Sequence, residues 1–282
     1  MMKSVSKTPP IAAADLEQFR AVQQLAYRCV QDVQAQLRPG ITERQAAGRI
    51  RRWLTDNGVD DWFHLPFAWF GDRTTLQGFR NPLRFFPTDR RLEEGMPYIL
   101  DVAPVRGGYT SDIGFAGCLG PNPIFDQMMT DLGEYRTLIL DQVRARRTFR
   151  EIYEEVDALA AKQGYITAHH AYPGKVLAHQ VWRVRVPGPR TTVAGFGNKS
   201  LRLLARSLRE GFMEGWSPLW SGGKWSDHPP VPGVWAVEPH LGFHGVGVKF
   251  EELLIVTPDD AYWLDDDLPH VRRWQAVHES IA

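Results

Sequence analysis

The sequence predicts an α+β domain built twice over, and three observations lead there. Helix-start signals recur: Thr42 stands three residues before Gln45, and Thr148 three before Glu151, a capping-box spacing in both cases. From each threonine the helix-ending glycine, Gly58 or Gly164, lies 16 residues on. After each stop comes an aromatic, histidine-bearing stretch, DDWFH at 60–64 and TAHHAY at 167–172. We read this as an internal duplication offset by 106 residues, too long a period for a solenoid and natural for two pseudo-symmetric halves.

Each element has its own signal. Leu16, Phe19, Val22, Ala26, Cys29, Val30, Val33 and Leu37 recur at helical spacing and predict a first helix that ends at Pro39-Gly40. The second helix carries Ile50, Trp53 and Leu54 and stops at Asn57-Gly58, a good left-handed terminus. WFHLPFAWFG (62–71), PYILDVAPV (97–105) and GYTSDIGFAGCL (108–119) read as strands, the last two joined by a Gly-Gly turn. A helix over 124–146 and another from Thr148 to Gly164 open the second half. VWAVEPHLGF (234–243) and VGVKFEELLIVT (246–257) are further strands. The expected division is a disordered arm over 1–12, a main domain over 13–260 and a C-terminal tail over 261–282. Residues 188–232, rich in Gly, Pro, Ser and Trp, form an insertion with one amphipathic helix at 199–210.

The whole chain excludes several classes. Apolar residues make up 43% and charged residues 23%, and the formal net charge is zero, so neither nucleic acid nor an acidic membrane surface is expected as a partner. Two cysteines, Cys29 and Cys118, stand far apart, which points to a reducing cytoplasm rather than a disulfide framework. The N-terminus lacks the apolar core of a signal peptide, and no run approaches a membrane span.

The chemistry lies in polar residues set in apolar strands. Asp101 and Asp112 fall in neighbouring predicted strands, Glu238 follows VWAV, and Glu251 opens ELLIV. A carboxylate buried there needs a partner, a hydrogen bond or a metal. Taken singly, each aspartate is equally well read as facing solvent. His179, in KVLAHQVW, taken singly reads more readily as a satisfied core histidine. Together the five make a set of oxygens with one nitrogen, suited to Mn, Co, Fe or Zn in a two-metal site.

These same segments resemble a known family. ILDVAPVRGGYTSDIGFAG is similar to the Asp-x(10)-Asp signature of methionine aminopeptidases, Xaa-Pro aminopeptidases and prolidases, the pita-bread metallopeptidases. VPGVWAVEPHLG resembles their Gly-Met-x-x-x-x-Glu-Pro segment. VGVKFEELLIVT resembles their last Glu strand, with Thr257 six residues after Glu251. The resemblance runs from about residue 13 to 260 and is nearest to the Xaa-Pro peptidases, although the chain's length leaves no room for the extra N-terminal domain that most of those carry. It implies a curved antiparallel sheet flanked by helices and two divalent metal ions. Asp101 would chelate one ion, Asp112 and Glu251 would bridge both, and His179 and Glu238 would complete the set. A hydroxide between the ions would be the nucleophile and Glu238 the proton shuttle. The implied reaction is hydrolysis of a C–N bond in a small molecule or short peptide, with a homodimer as the expected assembly.

The departures bear on the substrate. Family peptidases carry a pocket histidine where this chain has Gly78, and a second where it has Val186. His240 and His244, which lie between the two glutamates, are the candidate replacements in catalysis. His64 and His170 are candidates for substrate contact, beside His169. The 59-residue interval from His179 to Glu238 holds Trp216, Trp220 and Trp225 and reads as a lid or dimer contact. Three functions stay open: an Xaa-Pro-type peptidase, a two-metal enzyme repurposed for a non-peptide substrate, and a non-catalytic binding module.

Overall fold

The computed structural model describes residues 11–281, so the arm expected over 1–12 lies outside it but for Ile11 and Ala12. Helices α1 (Ala13–Gln34) and α2 (Glu43–Asp56) precede strands β1 (Asp61–Phe70), β2 (Pro97–Arg106), β3 (Tyr109–Thr110) and β4 (Ile113–Cys118). Helices α3 (Pro123–Arg144) and α4 (Phe149–Gln163) precede β5 (Ile166–Thr167) and β6 (Val176–Val181). The insertion contributes β7 (Thr192–Val193), β8 (Phe196–Gly197), α5 (Asn198–Glu214) and β9 (Leu219–Ser221). Strands β10 (Gly233–Val237), β11 (His240–Phe243), β12 (Val246–Val256) and β13 (Ala261–Trp263) lead to α6 (Pro269–Ile281). Both capping boxes form as expected, on Thr42 with Gln45 and on Thr148 with Glu151.

The strands pair antiparallel in the order β7-β8-β1-β2-β4-β12-β10-β6-β9. The duplication is visible in that order. From the central β4–β12 contact outward, β2, β1 and β8 on one side answer β10, β6 and β9 on the other. The curled sheet with its flanking helices is the α+β pita-bread architecture. Among the described residues no helix is long and apolar enough to cross a membrane.

Strand alternation separates the two faces of the sheet. Glu252 points to the helices, where Arg136 of α3 holds it through Nε at 2.7 Å and Nη2 at 3.2 Å, with His270 Nε2 at 3.0 Å from the same carboxylate. Glu251, one residue earlier, points to the opposite face, where the candidate site lies. Helix α1 fixes the backbone between them: the Tyr27 hydroxyl donates to the Glu251 carbonyl at 2.6 Å, and the Gln23 side chain accepts from the Leu253 N–H at 2.7 Å.

Four expectations change. The single strand over 108–119 is broken at Ser111-Asp112, and that over 234–243 at Glu238-Pro239, where the proline has no N–H for a ladder. The tail over 261–282 is no appendage, because β13 pairs with β12 and Trp274 packs edge-on against Phe250. Trp220 is core rather than lid: it is fully buried and stacks on Phe149 at 4.2 Å.

Removing Arg136 leaves the Glu252 carboxylate buried with only His270 beside it. Arg136→Met is expected to destabilise the chain by on the order of 3 kcal/mol, read from urea denaturation midpoints, whereas Arg206→Met, which disrupts an exposed ion pair with Glu210, should change stability by less than about 1 kcal/mol.

Candidate metal and catalytic site

The register across four strands builds the floor of the site. Phe67 of β1 pairs with Asp101 of β2, Asp101 with Gly114 of β4, and Gly114 with Glu251 of β12. Directly paired residues share a face, so Asp101 and Glu251 point the same way with a glycine between them. On the other half, Ala236 of β10 pairs with His179 of β6, and Glu238 follows two residues later at the strand's end. Asp112 and Glu238 both stand at breaks between strands, which frees them to turn toward the cluster.

Strand β1 reaches the floor through two register shifts, between Trp62 and His64 and between His64 and Phe67. Pro66 lies in the second. Without these bulges His64 and Phe67, three apart, would face opposite sides of the sheet. With them, Phe63, His64, Phe67 and Trp69 all line one cavity.

The polar side chains converge tightly. His64 Nε2 lies 3.2 Å from Asp101 Oδ1 and 3.1 Å from Asp112 Oδ1. His179 Nε2 lies 3.2 Å from Asp112 Oδ2 and 3.9 Å from Glu251 Oε1. Both imidazoles contact the carbonyl of the next residue through Nδ1, His64 at 2.8 Å from Leu65 O and His179 at 3.3 Å from Gln180 O. With a proton on Nδ1, each ring aims Nε2 at carboxylate oxygens. A neutral ring there would set a lone pair against an anion, so the geometry calls for a proton or a cation between them.

Electrostatics agrees. Burial opposes the charged form of His64, but Asp112 and then Asp101 outweigh it and hold its pKa well above the ordinary value. His179 is raised in the same way, burial being overcome by Asp112 and then Glu238. Burial would raise Asp112, yet His64 and His179 draw it well below the usual carboxylate range. Glu251 is pushed far up by burial and then by Asp112 and Glu238, and burial also raises Glu238.

The side chain that sequence reasoning missed sits at the centre. Lys249, with no exposed surface, places Nζ 2.7 Å from Asp101 Oδ2, 2.8 Å from Glu238 Oε2 and 2.9 Å from Glu251 Oε2. Tyr172 Oη is a fourth neighbour at 3.0 Å. The signal was present, because Lys249 stands two residues before Glu251 in an apolar run and a strand puts both on one face.

Three groupings at the site can therefore be tested as cation places, and in the first, His64 with Asp101 and Asp112, the imidazole Nε2 already lies against both carboxylates. Asp112, His179 and Glu251 are buried with ligand atoms within 4.8 Å of one another, and their donor set of two carboxylates and an imidazole fits a divalent metal. Asp101, Glu238 and Glu251 meet the same distance condition, but an ammonium already lies among them.

The other predicted histidines fare differently. His64 lines the cavity, but against the carboxylates themselves. His240 lies behind the site: Nε2 contacts the Thr74 carbonyl at 2.6 Å and Nδ1 the Tyr172 hydroxyl at 2.9 Å, so it braces Tyr172 rather than facing the cavity. The expectation that His244 neighbours the metals is corrected, because it is exposed at the β11–β12 turn, five residues along the hairpin from Lys249. His170 is also outside the cavity, half-exposed and paired with Asp157 at 2.9 Å, with buried His169 beside it. Neither Gly78 nor Val186 lines the cavity.

Above the floor rises a cavity of about 520 Å³. Its walls are Phe63, Phe67, Trp69, Phe85 and Phe86 with the insertion's Val193, Phe196, Leu201 and Leu204. Strand β8 pairs with β1 at Phe196, and α5 follows it directly, so the insertion is tied to the cavity's edge. No arginine or lysine lies among the described lining residues.

Among solved structures, the chain is similar to X-Pro aminopeptidase from Thermotoga maritima MSB8, at 16% identity and a TM-score of 0.68, covering 93% of this chain and 63% of that one. Dipeptidase PepE from Mycobacterium ulcerans is similar at 20% identity and a TM-score of 0.65, with 92% and 59% covered. Prolidase from Pyrococcus furiosus follows at 17% identity and 0.65, with 90% and 64% covered. The chain thus spans less than two thirds of the length of these proteins. No curated protein sequence matches it. The model of metallopeptidase family M24 matches residues 17–258. The chain belongs to that family.

Proposed function

We propose that the protein hydrolyses a C–N bond, of amide type, in a small apolar molecule rather than in a dipeptide. The observation that carries this reading is the cavity: aromatic and aliphatic walls above a floor holding every polar group, with no cationic side chain on the walls. A dipeptide's free carboxylate would lose its water there and find no partner, a large penalty for a charged group. A neutral substrate with an aromatic or aliphatic body fills such walls favourably, at about 25 cal/mol for each Å² of apolar surface removed from water. The missing pocket histidines, replaced by Gly78 and Val186, point the same way.

Asp112, His179 and Glu251 would hold a divalent ion, with His64 on the far side of Asp112. When bound, such an ion lowers the pKa of its water toward neutrality. The chain's own residues supply the rest. Glu238 Oε2 accepts from Lys249, while its Oε1 has no protein partner among the described residues and is left to take and return a proton. Burial raises the pKa of this carboxyl, which suits that exchange. Leu201 and Leu204 of α5, with Phe196, cover the cavity and exclude water from the reacting atoms.

Two measurements check this reading. Liquid chromatography with mass detection on a panel of apolar anilides, N-acyl amines and Xaa-Pro dipeptides, with Mn²⁺ added, should show turnover confined to the apolar amides and abolished by chelator. Faster turnover of the Xaa-Pro dipeptides would instead favour the peptidase, and metal-independent turnover would remove the metal step. On a substrate so found, Glu238→Gln should lower kcat by about 10²–10⁴-fold, while His170→Asn and His244→Asn, outside the cavity, should leave kcat and KM within about twofold.

A further inference from the structure

The family's site takes cations between its carboxylates, and here one of those places is filled by the chain. The Lys249 ammonium has three protons and four oxygen neighbours, at 2.7 to 3.0 Å, so its bonding capacity is used up. A divalent ion among Asp101, Glu238 and Glu251 would need oxygens at about 2.0–2.2 Å and would have to sit on Nζ itself.

The place is built for the lysine. A Cβ at Gly114 would fall 2.3 Å from Lys249 Cε and 2.9 Å from Cδ. The glycine between Asp101 and Glu251 in the register is thus the groove in which the lysine stem lies. Tyr172, the fourth neighbour, is held by His240, which is held in turn by the Thr74 carbonyl. Residue 249 pairs with His240 in the sheet, and its side chain is wholly buried.

Charge sets a limit as well. Asp101, Asp112, Glu238 and Glu251 bring four negative charges, which two divalent ions would balance. Counting the four carboxylates and Lys249 but neither histidine, one divalent ion leaves one negative charge, and two would leave one positive charge with the ammonium displaced from its oxygens.

We propose that Lys249 is the permanent occupant of one of the two cation places, so that the site takes at most one divalent ion, at Asp112, His179 and Glu251. This rests on the metal-dependent reading above, and the test separates the two. Full-length protein is equilibrated with Mn²⁺ alone, freed of excess metal and assayed for bound Mn by plasma mass spectrometry. Wild type should hold about one ion per chain and Lys249→Ala about two, the doubling that an emptied second place gives. Two ions in the wild type overturn the assignment of Lys249 and leave the hydrolase reading standing. None in the wild type with one or more in Lys249→Ala supports the assignment and overturns the metal-dependent reading. Equal content in both proteins overturns the assignment. Should Lys249→Ala not fold, wild-type crystals soaked in Mn²⁺ decide by anomalous scattering. A peak among Asp101, Glu238 and Glu251 overturns the proposal, and lysine density there with no such peak supports it.

Discussion

The Lys249 ammonium among three buried carboxylates is the contact on which the rest of the site depends. Asp101, Asp112, Glu238 and Glu251 are each at most 7% exposed. Like charges about 4 Å apart repel by roughly 4 kcal/mol per pair at the effective dielectric of protein sites, and burial adds the loss of hydration. Without counter-charge the cluster would protonate or spring apart. Lys249 answers Asp101, Glu238 and Glu251, while His64 and His179 answer Asp112. The local irregularities of the sheet serve that neutralisation. The bulges of β1 deliver His64, the breaks at Asp112 and Glu238 let those carboxylates turn inward, and Gly114 makes room for the lysine stem.

How much of this was legible in the sequence follows from the range of each interaction. Capping boxes are local, so Thr42 and Thr148 announced their helices and, through their equal spacing to Gly58 and Gly164, the duplication. A carboxylate in an apolar run is also a local signal, which is why Asp101, Asp112, Glu238 and Glu251 could be picked out together. Lys249 carries only one local signal, its spacing to Glu251, which places it on the buried face. His244 was misjudged because nearness in sequence to two glutamates was taken for nearness in space. A hairpin carries its tip away from its base by about 3.3 Å per residue. His170 has no such signal at all, since its partner Asp157 comes from another helix. The aromatic cavity was legible only in part: WFHLPFAWFG is visibly aromatic, but no alternation rule shows that Phe63 and His64 share a face, because bulges suspend the rule.

The walls and the floor act on each other. Aromatic side chains exclude water, and a dry cavity strengthens every charge interaction beneath it. In that setting a covalently tethered ammonium differs from a metal ion in what it can do. It cannot exchange or be lost, and it has no open coordination position from which to polarise a substrate carbonyl. All three of its protons are drawn to protein oxygens, so it acts on the carboxylates and not on the substrate. The consequence is an asymmetric site. On the Asp101–Glu238 side the chain supplies its own fixed cation and a carboxyl, Glu238, with one oxygen left over. On the Asp112–His179 side two imidazole nitrogens face carboxylates across gaps that a proton or an ion must fill. In the proposed reaction the second side would hold the ion and Glu238 on the first would take and return the proton, and the cation that fixes the first side stands two residues before Glu251 along a single strand.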